Sequence, residues 1–210
     1  MTAHRKAIRR TALAATAGVA ALLLSACGGG GHDMGSMGSD SSPSASASAE
    51  ADKHNGADVS FATEMIMHHR QAVEMADMAA DRASSQEVKD LATKVKAAQD
   101  PEIKTMSGWL TSWGEEVPEN MSGMDMPGMD MPGMPGMMSS EDMDKLETAS
   151  GAEFDKMFLE MMVEHHEGAV SMAKTEKANG EYEPAVKLAD DVITAQTAEI
   201  EQMNKMLDKS

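Results

Sequence analysis

The chain has 210 residues, with 18 basic and 35 acidic side chains, a formal net charge of −17 and one cysteine. So acidic a surface repels nucleic acid and anionic lipid, and neither is expected as a direct partner. A lone cysteine excludes an intrachain disulfide framework, and 3% aromatic residues leave Met, Ala, Leu, Val and Ile to fill the core.

Residues 1–26 read as a signal peptide. His4, Arg5, Lys6, Arg9 and Arg10 form a basic start, and Ala12 to Leu24 is an apolar run too short to span a bilayer comfortably. Leu24-Ser25-Ala26-Cys27 has the form of a bacterial lipobox, which makes Cys27 the acylated first residue of the mature chain and the membrane its anchor. The alternative is an ordinary secretory signal with an incidental cysteine. Cleavage removes four basic residues and no acid, leaving 14 basic against 35 acidic side chains, a balance of −21. Residues 27–56 then form a tether, rich in Gly, Ser and Ala, that cannot bury enough apolar surface to order itself. The rest, 57–210, is long enough for one core.

In that domain the 3.6-residue period marks four helices. Helix one spans about 58–82. Helix two starts near Ser84, where Ser84 and Glu87 have capping-box spacing, and runs through Pro101 to about Trp113. Helix three starts at Ser139 or Ser140 and ends at Asn179-Gly180. Helix four starts at Pro184 and reaches about Leu207. No alternating β-branched run competes. The expected fold is all-α: an up-down-up-down four-helix bundle of two helical hairpins, joined by a long Met-rich crossover at 114–140.

The hairpins are copies. Phe61, Met65, His68, His69, Ala72, Val73, Met75 and Ala76 recur 97 residues later as Phe158, Met162, His165, His166, Ala169, Val170, Met172 and Ala173. The offset holds into the next helix, where Gln99, Glu102 and Met106 match Gln196, Glu199 and Met203. On helix one the histidines interrupt two apolar stripes, so they point into the bundle or its edge. Gln99 and Gln196 stand where hydrophobes are expected and need partners, for which a facing imidazole is suited. The histidines therefore admit two readings: core residues satisfied by the glutamines, or metal ligands with the glutamines behind them. A methionine stripe alone is ordinary packing. Imidazole and thioether together suit Cu(I), and Ag(I) by the same softness. A ferritin-type di-iron centre needs Glu-x-x-His pairs, but Met65, Ile66, Met162 and Val163 occupy the Glu positions.

The crossover holds Met121, Met124, Met126, Met129, Met131, Met134, Met137 and Met138, eight of the 23 methionines within 18 residues. Interleaved Pro and Gly forbid a regular element there, so packing does not account for them. Thioethers bind Cu(I) without losing a proton. The other reading is a low-complexity linker or an oxidation sink. His32, Met34 and Met37 are a weaker echo on the tether.

The doubled His-His-x-x-Ala-Val-x-Met-Ala block resembles the secreted ferritin-like bundles known as domain-of-unknown-function family three-zero-five, over about residues 57–208. That resemblance implies an exported four-helix protein, in some members tied to copper binding and tolerance. Carried over by position, it nominates Met65, His68, His69, Met75, Met162, His165, His166 and Met172. The residues add Met106, Met203 and the crossover methionines as thioether donors. The expectation is a lipid-anchored, extracytoplasmic, non-enzymatic Cu(I)-binding protein that buffers copper or exchanges it with a donor or acceptor protein. The alternative is a metal-free envelope lipoprotein that docks a partner through an exposed apolar patch at Trp109 and Trp113. A copper or iron oxidase ranks third, since no nucleophile–base set or cofactor fingerprint is present.

Overall fold

A computed structural model describes residues 53–119 and 134–209. The signal peptide, Cys27, the tether through residue 52, and Met121, Met124, Met126, Met129 and Met131 lie outside the described residues. Among the described residues there are five helices and no strand: α1 (Gly56–Arg82), α2 (Gln86–Trp113), α3 (Ser140–Thr148), α4 (Gly151–Asn179) and α5 (Glu183–Leu207). None of them is long and apolar enough to cross a membrane.

Helix boundaries follow local chemistry. Asn55 caps α1 through a reciprocal box with Asp58, so the folded domain takes in Asn55 and Gly56, which composition assigns to the tether. Ser85, not Ser84, caps α2, accepting from the Val88 N–H. Helix α2 continues through Pro101. The single third helix expected from periodicity is instead two. Ala149 and Ser150 are extended, and Gly151 has φ of +65°, a conformation that breaks the rod and that only glycine adopts readily. The break restores the repeat, because α4 then begins within two residues of where the 97-residue offset places the counterpart of Gly56.

Helix α2 packs along α1, α5 along α4, and α1 against α4. Two apolar layers run across the bundle. The first holds Phe61, Met65 and Ile66 of α1, Met106 and Leu110 of α2, Ala169 and Met172 of α4, and Ala185 and Val192 of α5. The second holds Met75 and Ala79 of α1, Val88 and Leu91 of α2, Phe154, Phe158 and Met162 of α4, and Met203 and Met206 of α5.

The layers fix the direction of each helix. Helix α1 runs from first to second, α2 from second to first, α4 again from second to first, and α5 back. The order is therefore up-down-down-up, not the expected up-down-up-down. Hydrogen bonds at both ends agree. Asp58 at the start of α1 accepts the N–H groups of Glu181 (3.1 and 3.2 Å) and Tyr182 (3.0 Å), beyond the end of α4. Asp155, its repeat counterpart, accepts from Ser84 N (3.0 Å), Ser84 Oγ and Ser85 N (2.9 Å), beyond the end of α1. The long crossover is the physical reason: it carries the chain back along the bundle before α4 begins.

Candidate metal centre

Between the two apolar layers lies a polar one. His68, His69, His165 and His166 are all 0% exposed. Consecutive positions on a helix are about 100° apart, so His68 and His69 leave α1 in different directions. His68 meets its counterpart His165 across the α1–α4 contact, with ring centroids 3.6 Å apart and planes tilted by 40°. His69 turns to α2, where its Nε2 lies 2.7 Å from Glu102 Oε2. His166 repeats this on α5, with Nε2 2.7 Å from Glu199 Oε2.

The acceptors set the tautomers. A carbonyl or carboxylate oxygen can only accept, so the nitrogen facing it carries the proton. His69 and His166 donate from Nε2 to their glutamates, and His68 donates from Nε2 to the Pro135 carbonyl at 3.1 Å. The Nδ1 lone pairs of these three rings are left buried without a hydrogen-bond partner, and neither nitrogen of His165 has one. Burial and the neighbouring His69 hold His68 down to about 3. Burial, then the charges of the other three rings, holds His165 well below the usual imidazole range. Both rings stay neutral at ordinary pH, the form that binds metal.

Gln99 and Gln196 are buried as expected, but their Oε1 atoms find no donor, and the histidine N–H groups go to Glu102 and Glu199 instead. That corrects the expectation of glutamine partners. Three residues separate Gln99 from Glu102, so both share one face of α2, and the carboxylate is the stronger acceptor. Among the described residues, no three His, Cys, Asp or Glu side chains gather in a metal-binding group. The methionines of the two flanking layers are the soft donors at hand to complete a coordination sphere.

The thioethers are sorted by symmetry. Met65, Met106 and Met172 lie in the first layer, and Met162, Met203 and Met75 in the second. Each set takes one methionine from α1, one from α4 and one from an outer helix, and the 97-residue offset exchanges the sets. Of the crossover methionines, Met138 is buried in the second layer and Met134 packs partly buried against the first. Met137 is also partly buried. Trp109 and Trp113 do not form an open patch. Both are partly buried, Trp113 stacks on His54 at 4.3 Å, and Tyr182 meets the two indoles edge-on at 5.5 and 5.2 Å.

The chain matches no curated protein. It does resemble solved structures. A DUF305 protein from Streptomyces coelicolor, assigned as secreted, is 34% identical, covering 76% of this chain and 93% of its own, with a TM-score of 0.65. CopM in its Cu(I)-bound form is 35% identical, covering 72% of this chain and 96% of its own, with a TM-score of 0.60. The Cu(II)-bound form of CopM gives 38% identity with the same coverage and a TM-score of 0.61. CopM has also been solved with silver bound and in an apo form. Residues 58–207 match the family described as Domain of unknown function (DUF305). The chain is thus a member of the DUF305 family.

Proposed function

We propose that this protein binds Cu(I), and Ag(I) by the same chemistry, outside the cytoplasm, where it is held by lipid on Cys27 after loss of residues 1–26. It buffers the ion or exchanges it with a donor or acceptor protein, and it does so as a binder rather than a catalyst. One observation carries this reading: four buried imidazoles each keep an Nδ1 that bonds to nothing, between two layers that both contribute repeat-matched thioethers, Met65, Met106 and Met172 on one side and Met162, Met203 and Met75 on the other. Burying an unsatisfied polar atom costs about 1–3 kcal/mol, and a metal ion would offset that cost. Imidazole nitrogen with thioether sulfur is a soft donor set. CopM, bound to Cu(I) and to silver, supports the choice of ion.

In this reading His68, His69, His165 and His166 supply nitrogen, and Met65, Met75, Met106, Met162, Met172 and Met203 supply sulfur. Glu102 and Glu199 hold two rings with Nδ1 presented, the usual task of a carboxylate behind a metal-bound histidine. Met121, Met124, Met126, Met129 and Met131 form a faster-exchanging store on the crossover, and Met134, Met137 and Met138, packed on the bundle, relay the ion between that store and the histidines. The S. coelicolor relative assigned as secreted supports the location.

The test is competition for Cu(I) against a chelator under reducing conditions. The wild-type domain should retain copper that a variant with all four bundle histidines changed to alanine gives up. Equal retention overturns the histidine centre. Replacing Met121, Met124, Met126, Met129 and Met131 by serine should lower the stoichiometry while leaving the helical signal intact.

A further inference from the structure

The up-down-down-up order forces the crossover to travel the length of the bundle, and its described end passes directly over the histidine layer. Met134 packs on the first layer and Met138 in the second, so residues 134–138 span the gap between them. The segment turns at Pro135-Gly136, with Met137 N–H reaching Met134 O at 3.4 Å and Gly136 at φ of +75°, the pattern of a type II turn.

Three contacts seat this strap. Pro135 O accepts from His68 Nε2. Gln71 grips Met138 on both sides of its peptide, accepting from its N–H at 2.8 Å and donating to its carbonyl at 2.9 Å. Gly168 of α4 lies flat beneath the turn, where a Cβ would come within 2.0 Å of Pro135 O. Gln71 and Gly168 are repeat counterparts, 97 residues apart. At the one level where the strap crosses, the two copies have diverged into a clamp on one helix and a clearance on the other.

We propose that the Pro135–Met138 strap is the door of the dihistidine centre, latched by Gln71 and seated on Gly168, and that Cu(I) or Ag(I) enters and leaves when it lifts. Lifting frees the His68 Nε2–H, uncovers the His68–His165 pair and carries Met134, Met137 and Met138 with it. The strap thereby couples these thioethers to the buried nitrogen site. This proposal rests on the copper reading above, but the door can be tested without metal.

The experiment labels the metal-free protein with diethyl pyrocarbonate and follows His68 and His165 by mass spectrometry, in wild type, Gln71→Ala and Gly168→Ala. A parallel stopped-flow series follows Ag(I) and Cu(I) uptake. Gln71→Ala loses two hydrogen bonds, each of which should raise strap opening about tenfold, and the methyl of Gly168→Ala pushes Pro135 off its seat, so both variants should label and load faster, at unchanged final stoichiometry. Gln71→Ala removes only the latch and keeps the backbone intact, so it decides the matter if Gly168→Ala folds poorly. Labelling of Gln71→Ala at the wild-type rate overturns the door. Faster labelling in variants, with no form of the protein taking up metal, overturns the copper reading and the door as its entrance, leaving the strap a simple cover.

Discussion

The two hairpins began as the same sequence, and what they kept differs in kind from what they lost. Both kept the dihistidine, the glutamate behind its outer ring, the three methionines at matching levels, and an aspartate that ties the start of one hairpin to the turn of the other. They diverged at Gln71 and Gly168, where the crossover passes, and at Ala79 and Glu176, where only the second hairpin buries an acid. Positions that build the centre are duplicated. The difference between Gln71 and Gly168 lies where a single element, present once, has to be accommodated.

The largest test of that symmetry is structural. Asp155→Ala leaves the N–H groups of Ser84 and Ser85 without their acceptor, and Asp58→Ala does the same to Glu181 and Tyr182. Each should cost roughly 1–2 kcal/mol by urea unfolding, since partly buried donors are orphaned. Similar losses would confirm equivalent clamps. A full loss from one and none from the other would break the comparison.

Next are the glutamates. Glu102→Gln and Glu199→Gln should each weaken Cu(I) affinity by about 10- to 100-fold, with helical content unchanged. The two effects should be alike, read by chelator competition. An effect in only one hairpin would assign the metal to that half.

The smallest effect sharpens the asymmetry. Glu176 is buried beside Asp58, and burial, followed by the hydrogen bond and charge of Asp58, raises it to about 8. Burial opposes the downward shift of Asp58, but hydrogen bonds from Asn55, Glu176, Tyr182 and Glu181 outweigh it. Both carboxyl oxygens of Glu176 are buried with no geometric hydrogen-bond partner, so burial beside the Asp58 charge favours its protonated form. The folded state then holds a proton that the unfolded state releases above about 4.5, so stability falls as pH rises from there through about 8. Glu176→Gln should flatten that slope and raise the melting midpoint above pH 8 by on the order of 5 °C, by calorimetry. An unchanged slope would remove Glu176 from the account.

Much of this was legible in residues alone. The 97-residue offset marked the two dihistidines and their methionines as equivalent, because side-chain period and repeat register are local properties; that His68 faces His165, and that the methionines divide into two layers, came only with the fold. Helix direction was not legible: two hairpins of this length pack either way, and the choice rests on how far the crossover travels. The break at Ala149–Gly151 was hidden by a helical period that runs through it, although the offset itself implied a fresh start there. Glu102 and Glu199 were visible but ranked behind the glutamines, since which of two residues on one face meets a ring depends on rotamer and spacing. The strap could not be foreseen. Pro135-Gly136 reads as a turn in any context, and only the fold brings its carbonyl to His68.

The central claim is that imidazole nitrogen and thioether sulfur share one ion inside the bundle. X-ray absorption on the domain loaded with one equivalent of Cu(I) tests it most directly, in a form whose crossover methionines Met121 to Met131 are serine. The account predicts mixed scattering, with histidine nitrogen and sulfur in one first shell, the sulfur lost on changing Met65, Met75, Met106, Met162, Met172 and Met203 to leucine. A first shell of sulfur alone, or of nitrogen and oxygen unchanged by those substitutions, would contradict it.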